Sequence, residues 1–228
     1  MGYPIEMIGA NTALFSLIGE NAIEHKGDEL FNQHFKTLDV DCKMMSLNIR
    51  QDDLGYFLNG LKDSQIKAAY FETEYWQKVY ELLPCDDEEI NFCAICDTIE
   101  IEDSNYHMRL SLGEAILSLL GNINEQTIMI IGATPEAKST LFNLCKQTPS
   151  KIVLAHTIIE ELADMMHLIP NHIEHDIIRI EDNNQLYAYD RILNFTNTEM
   201  VCDINFEKDR DKISTKIAEL NTKKWSNI

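Results

Sequence analysis

Short apolar runs alternate with segments of helical periodicity along almost the whole chain, and this alternation constrains the fold more than any other feature. The runs 12–19 and 66–71 have the length and apolar content of buried strands. The segments 28–38 and 53–61 repeat apolar residues every three to four positions, as amphipathic helices do. Repeated β-α-β order predicts a mainly parallel sheet with both faces covered by helices, and therefore an α/β fold.

The same alternation starts again near residue 125 and divides the chain into two parts. Residues 126–132 form a continuous apolar run that ends in glycine, which is typical of a parallel strand. Further strands are predicted at 150–155 and 190–196, with helices between them. We therefore predict an N-terminal α/β domain over 1–105, a linking helix over 106–124, and a Rossmann-like, doubly wound domain over 125–228.

A CxxC pair, Cys93 and Cys96, lies in an apolar segment that we predict to be a buried strand over 91–100. With Cys85 before it and His107 after it, the pair could provide four zinc ligands. The irregular spacing favours buried structural thiols instead, so no metal site is expected.

The charge of the chain excludes several partners. Nineteen basic and 38 acidic residues give a net charge of −19, which disfavours nucleic acid and anionic membrane surfaces.

No apolar run approaches the roughly 20 residues of a membrane-spanning helix. The first residues lack the pattern of a secretory signal peptide. Six cysteines in a chain long enough to bury a core agree with a reducing compartment, so a cytoplasmic location is expected.

Several blocks of the sequence, in one consistent order, resemble the shikimate dehydrogenase family. These blocks are residues 17–25, 57–67, 78–83 and 190–200, and the match extends over roughly 12–206. The resemblance implies an N-terminal substrate domain, a Rossmann NADP domain, and interconversion of 3-dehydroshikimate and shikimate in the cleft between them. It also implies about 50 further C-terminal residues on domain-size grounds, so the second domain is interpreted as C-terminally shortened.

The resemblance places the substrate-binding positions of the family on residues of different chemistry. The family's lysine falls on Trp76, and the aspartate that works with it falls on Leu110. Neither side chain can exchange a proton, so no catalytic residue is predicted. The cleft positions implied by the resemblance are His25, Gly27, Tyr70, Glu72, Trp76, Asp97 and Thr98.

The glycine-rich cofactor turn of the family falls on residues 132–137. Gly132 keeps the tight turn, whereas Thr134 and Pro135 replace glycines that let a pyrophosphate approach the backbone. Glu136 adds a carboxylate where a phosphate would lie. The cofactor positions implied by the resemblance are Gly132, Ala133, Thr134, Pro135, His156, Asn194, Thr196 and Met200, and we expect NADP and NAD to bind weakly or not at all.

Three functions stay open at this point. The first is a binding or interaction module that has lost the NADP-dependent chemistry, with a small molecule or a protein as its partner. The second is a diverged nicotinamide-dependent oxidoreductase that acts on a substrate other than shikimate. The third is a structural subunit that uses its interdomain surface as a protein interface. Cofactor binding separates the second from the other two, and the sequence predicts no oligomeric state.

Overall fold

The computed structural model describes residues 8–180, 189–197 and 201–227. The chain forms two compact units. Unit 1 comprises Met1–Asp87, Ile95–Arg109 and Ala218–Ile228, and unit 2 comprises Glu88–Ala94 and Leu110–Ile217. This division differs from the three consecutive segments predicted from the sequence, because residues 88–94 belong to the second unit and residues 218–228 to the first.

Unit 1 is built on a mixed five-stranded sheet. In chain order its strands are β1 (Ala13–Gly19), β2 (Cys42–Asn48), β3 (Ile66–Phe71), β4 (Thr98–Glu102) and β5 (Asn105–Arg109). The spatial order is β2-β1-β3-β4-β5, in which β1 pairs in parallel with β2 and β3, while β4 is antiparallel to both of its neighbours. The helices of this part of the chain are α1 (Ala22–His25), α2 (Gly27–Thr37), α3 (Leu54–Leu61) and α4 (Trp76–Leu82).

Unit 2 contains a sheet whose described strands are all parallel. They are β6 (Thr127–Ile131), β7 (Lys151–His156), β8 (Glu174–Arg179), β9 (Arg191–Asn194) and β10 (Ile204–Asn205), in the order β10-β9-β6-β7-β8. The helices are α5 (Glu88–Cys93), α6 (Leu112–Leu120), α7 (Pro135–Leu144), α8 (Ala163–Leu168) and α9 (Arg210–Trp225), the last of which ends in unit 1. This parallel arrangement confirms the predicted Rossmann-like, doubly wound fold.

The prediction of a buried strand over 91–100 is wrong for its first half. Residues 88–93 are helical, and the strand begins only at Thr98. Glu88 and Glu89 occupy the first helical turn, where carboxylates are favourable, and Ala94 ends the helix with a φ of 56°. The apolar residues Ile90 and Cys93 are both buried and lie one helical turn apart, so the apolar content alone did not separate the two structures.

The sequence analysis also missed the hairpin of β4 and β5. Asp103 and Ser104 connect the two strands, and both have positive φ angles, 49° and 62°. Two consecutive residues of this kind form the tight turn that suits twisted antiparallel strands. Because the turn contains no glycine, the usual sequence signal for a hairpin is absent here. The sheet of unit 1 therefore contains two antiparallel strand pairs, β3–β4 and β4–β5, where a mainly parallel sheet was predicted.

Aromatic side chains form the centre of unit 1. The ring of Phe15 on β1 lies between those of Phe35 on α2 and Trp225 on α9, with centroids 5.2 Å and 4.9 Å away. The apolar patterning of the sequence also predicts nine core residues, two of which, Leu14 and Phe57, are only half-buried. The others are buried, namely Phe15, Phe35, Ile130, Ile131, Val153, Leu193 and Ile204.

Two kinds of feature are not found among the described residues. Within 8–180, 189–197 and 201–227, none of the helices combines the length and apolar character that crossing a bilayer requires. Within the same residues, no three His, Cys, Asp or Glu side chains come together in a group that could bind a metal ion. Cys93 and Cys96 are buried, and burial raises the pKa of the Cys96 thiol far above its usual value.

Candidate functional site

Two of the predicted cleft positions, His25 and Glu72, are in direct contact. The Nδ1 atom of His25, at the end of α1, lies 3.0 Å from Oε1 and 3.1 Å from Oε2 of Glu72, which follows β3. Because β1 and β3 are parallel neighbours, the loops at their carboxyl ends meet at one edge of the sheet. The side chain of His25 is 58% exposed and that of Glu72 is 16% exposed, so the imidazole is open to solvent above a largely buried carboxylate.

The carboxylate of Glu72 is held by its surroundings. A Cβ atom at Gly19 would lie 2.1 Å from Oε2 of Glu72, so any other residue at the end of β1 would require the Glu72 side chain to move. The neighbouring Glu74 acts on Glu72 through its charge, and it accepts a hydrogen bond of 3.3 Å from the backbone N–H of Glu20. Burial raises the pKa of Glu72, with a further contribution from Glu74. The hydrogen bond and charge of Glu72 in turn raise the pKa of His25 above 6.5.

We expect unit 1 to lose stability as the pH rises through the pKa of His25. A group whose pKa is higher in the folded state stabilises the fold fully below its unfolded pKa, and that stabilisation is lost above its folded pKa. The measurement is urea unfolding at about pH 5.5 and pH 8.5, which bracket the usual histidine pKa. His25→Gln should reduce the difference between the two conditions, whereas the control His34→Gln should keep it. An equal pH dependence in wild type and His25→Gln would contradict this prediction.

Three further cleft positions are buried parts of the sheet and its connections. Tyr70 on β3 lies opposite Thr98 on β4 and contacts the ring of Phe31, with centroids 5.4 Å apart. The carbonyl of Asp97 accepts a 2.8 Å hydrogen bond from the backbone N–H of Phe71. Burial raises the pKa of Tyr70 well above its usual value, so its hydroxyl stays protonated.

Trp76 and Leu110, the positions onto which the resemblance places the family's proton-transfer pair, are both buried. Trp76 is 3% exposed, and its Nε1–H donates a 2.7 Å hydrogen bond to the carbonyl of Phe71. Leu110 is 7% exposed. Gly27 begins α2 and lies against the side chain of Leu17 on β1. These residues build the fold, and none of them provides an acid or a base.

The hydroxyl of Thr98 accepts a hydrogen bond from a residue of α9. Asn221 donates a 3.3 Å hydrogen bond from Nδ2 to Oγ1 of Thr98, and it accepts one of 3.1 Å from Arg109. All three residues belong to unit 1, and Asn221 is fully buried. The sequence analysis missed Asn221 because it lies 123 positions from Thr98 and belongs to no recognised motif.

The turn between β6 and α7 is tight, and few of its backbone N–H groups remain for a ligand. Gly132 has a φ of 108°, and a Cβ atom there would lie 3.2 Å from Cγ2 of Thr196. After the half-buried Ala133, Oγ1 of Thr134 accepts a 3.3 Å hydrogen bond from the backbone N–H of Ala137. Pro135 occupies the first helical turn and has no N–H. Of the backbone N–H groups at this helix N-terminus, that of Ala137 is therefore capped, and Pro135 provides none.

The side chains of His156 and Asn194, two further predicted cofactor positions, contact residues close to them in the sequence. Nδ1 of His156 accepts a 3.1 Å hydrogen bond from the backbone N–H of Ile158, and its Nε2 lies 3.6 Å from the carboxylate of Glu161. The side chain of Asn194 accepts hydrogen bonds from the N–H and the hydroxyl of Thr196, at 2.9 Å and 2.7 Å. Glu161 was not predicted, because the resemblance carries no residue to that position. Met200 lies outside the described residues.

Comparisons with known proteins agree with the resemblance in the sequence. The NADP-dependent shikimate dehydrogenase of Clostridium perfringens is 26% identical over 148 residues, which are 62% of this chain and 54% of that protein. The structure of shikimate 5-dehydrogenase from Listeria monocytogenes, in complex with shikimate and NAD, superposes with a TM-score of 0.70 and 15% identity, covering 86% of this chain and 72% of that one. The chain is shikimate dehydrogenase-like in sequence and in fold. No family model matches it.

The likeness of this shikimate dehydrogenase-like chain to known proteins has two limits. The chain spans little more than half the length of the first curated relatives that it matches. The same fold also occurs in a 5-ketofructose reductase from Gluconobacter, with a TM-score of 0.69 and 12% identity over 82% of this chain and 70% of that one. Because related folds support different reactions, the function has to be argued from the site.

Proposed function

We propose that this shikimate dehydrogenase-like chain does not catalyse the NADP-dependent reaction and acts as a binding or interaction module. The observation that carries the proposal is the N-terminus of α7. A nucleotide pyrophosphate gains its binding energy there from free backbone N–H groups. In this chain Thr134 already caps the N–H of Ala137, and Pro135 has no N–H to donate.

The negative charges near the same turn also disfavour the binding of a nucleotide. Glu136 lies in the first turn of α7, where its carboxylate interacts favourably with the helix dipole and takes the place of an anion. Two negative charges about 4 Å apart repel by about 4 kcal/mol at an effective dielectric constant near 20. Beside His156, the carboxylate of Glu161 disfavours the additional 2′-phosphate that distinguishes NADP from NAD. The net charge of −19 adds a weaker, screened repulsion.

The residues at the predicted cleft positions also disfavour shikimate, because shikimate carries a carboxylate. The resemblance places two serines of the family, whose hydroxyls bind the substrate carboxylate, on His25 and Gly27, and Glu72 adds a negative charge beside His25. Trp76 and Leu110 leave the reaction without its proton-transfer pair. A ligand of this module is therefore a neutral or cationic small molecule, or a protein.

The decisive experiment is calorimetric titration with NADPH at low salt. We expect a dissociation constant no better than about 1 mM, or about −4 kcal/mol, and no shikimate-dependent reduction of NADP above the blank. The triple variant Thr134→Gly, Pro135→Gly and Glu136→Gln restores the bare donors and removes the charge, so it should bind at least about tenfold more tightly, a gain of about 1.4 kcal/mol. Micromolar binding by the wild type would overturn the proposal.

A second candidate function is a nicotinamide-dependent oxidoreductase acting on another substrate. It is favoured by Gly132, which keeps the positive φ and the close approach of a tight cofactor turn. Micromolar NADPH binding in the same titration would select it, and a panel of uncharged ketones and alcohols would then be the next assay.

A further inference from the structure

We propose that His25 is a general base that takes a proton from a substrate without negative charge, and that Glu72 is its positioning residue. The pair lies at the carboxyl edge of the sheet of unit 1, between two strands whose connections leave in opposite directions. From β1 the chain runs to β2 on one side, and from β3 it runs to β4 on the other. Ligands of open α/β sheets bind in the crevice formed at such a switch point.

The geometry of the pair determines which nitrogen is reactive. A carboxylate can only accept hydrogen bonds, so Nδ1 of His25, 3.0 Å from Oε1 of Glu72, carries the proton. The lone pair is then on Nε2, and the His25 side chain as a whole is 58% exposed. The same division of roles, with a carboxylate on Nδ1 and a free Nε2, is found in histidines that act as general bases.

The burial of Glu72 makes this pair different from an ordinary surface ion pair. Its carboxylate is 16% exposed and lies against Gly19 at the end of β1. Another histidine of unit 1, His107, lies 3.9 Å from Glu102, but there the carboxylate is 80% exposed and the histidine 57% exposed. The two pairs share residue types and histidine exposure. They differ in the burial of the carboxylate, in the contacting nitrogen and in the distance, so His107 is an exposed histidine without a hydrogen-bonded carboxylate and serves as the control.

The charges around His25 determine the class of substrate. The carboxylates of Glu24, Glu72 and Glu74 act on the imidazole, while the neighbouring Lys26 is directed to Glu29 at 3.7 Å. This field repels an anion, so the substrate carries no negative charge, and it provides an acidic C–H or O–H group to the base. The inference requires no nicotinamide, so its test is independent of the NADPH titration that tests the proposed function.

The test uses 5-nitrobenzisoxazole, an uncharged general-base probe, with the full chain. Nε2 takes the C–H proton, the electron pair of that bond forms the nitrile, and the N–O bond breaks to give the coloured 2-cyano-4-nitrophenolate. Positioned general bases contribute on the order of 100-fold or more. We therefore expect His25→Gln to lower the rate at least about tenfold and the control His107→Gln to leave it unchanged.

The pH–rate profile tests the role of Glu72. The wild-type rate should rise with an apparent pKa above 6.5, because the hydrogen bond and charge of Glu72 favour the protonated imidazole. Glu72→Gln should move the midpoint down and reduce the rate, and Glu72→Asp should restore part of both. Circular dichroism establishes that each variant is folded, and should Glu72→Gln unfold, the comparison rests on His25→Gln and Glu72→Asp. Equal rates in wild type and His25→Gln, or an equal loss in His107→Gln, would overturn the proposal.

Discussion

Replacing Trp225 with alanine is expected to lower the free energy of unfolding of unit 1 by about 3–5 kcal/mol, the usual cost of removing a large aromatic side chain from a core. The indole ring is fully buried, and its centroid lies 4.9 Å from that of Phe15 and 5.8 Å from that of Phe31. Its Nε1–H also donates a 3.2 Å hydrogen bond to Glu100 on β4. The substitution therefore leaves a cavity between the sheet and α2 and removes a polar contact.

Urea unfolding followed by circular dichroism measures this loss. Trp225→Phe keeps a ring in the cavity and loses mainly the hydrogen bond to Glu100, so it should cost less, about 1–2 kcal/mol. Tyr56, which is 81% exposed on α3, is the control, and Tyr56→Ala should stay within about 0.5 kcal/mol of wild type. A loss below about 1 kcal/mol in Trp225→Ala would show that α9 contributes little to this unit.

The second large effect is expected at Glu89 in unit 2. Its Oε1 accepts 2.7 Å hydrogen bonds from the hydroxyl of Ser139 and the amide of Asn143, and its Oε2 lies 3.5 Å from Nζ of Lys146. The carboxylate thus joins α5 to α7. Glu89→Ala removes the shared acceptor from two donors in a buried environment, which should cost about 2–3 kcal/mol.

Glu88 provides the matched control for this prediction. It lies beside Glu89 in the first turn of α5 but is exposed, so Glu88→Ala removes the same charge near the helix N-terminus without touching the buried donors. Its cost should stay within about 0.5 kcal/mol. Equal destabilisation by Glu88→Ala and Glu89→Ala would mean that the helix dipole, and not the hydrogen bonds, accounts for the effect.

The shikimate dehydrogenase-like fold could be predicted from the sequence because its signals are local. The apolar run that became β6, Thr127–Ile131, is buried on both faces, so a continuous stretch of apolar residues was sufficient to identify it. The same signal failed for residues 90–96, where a helix and a strand would both bury Ile90 and Cys93. The acidic residues at the start of α5 favour the helix, but the contribution of each is small.

The contacts that define the candidate site were decided only by the tertiary structure. His25 and Glu72 are 47 positions apart and meet because β1 pairs with β3, with β2 on the outer side of β1. Trp225 and Asn221 enter unit 1 after the chain has completed unit 2, and no local pattern relates them to Phe15 or Thr98. Periodicity depends on residues within a few positions of one another, and it therefore predicted strands and helices. Which side chains meet depends on strand order and helix docking, which arise from burial summed over the whole chain.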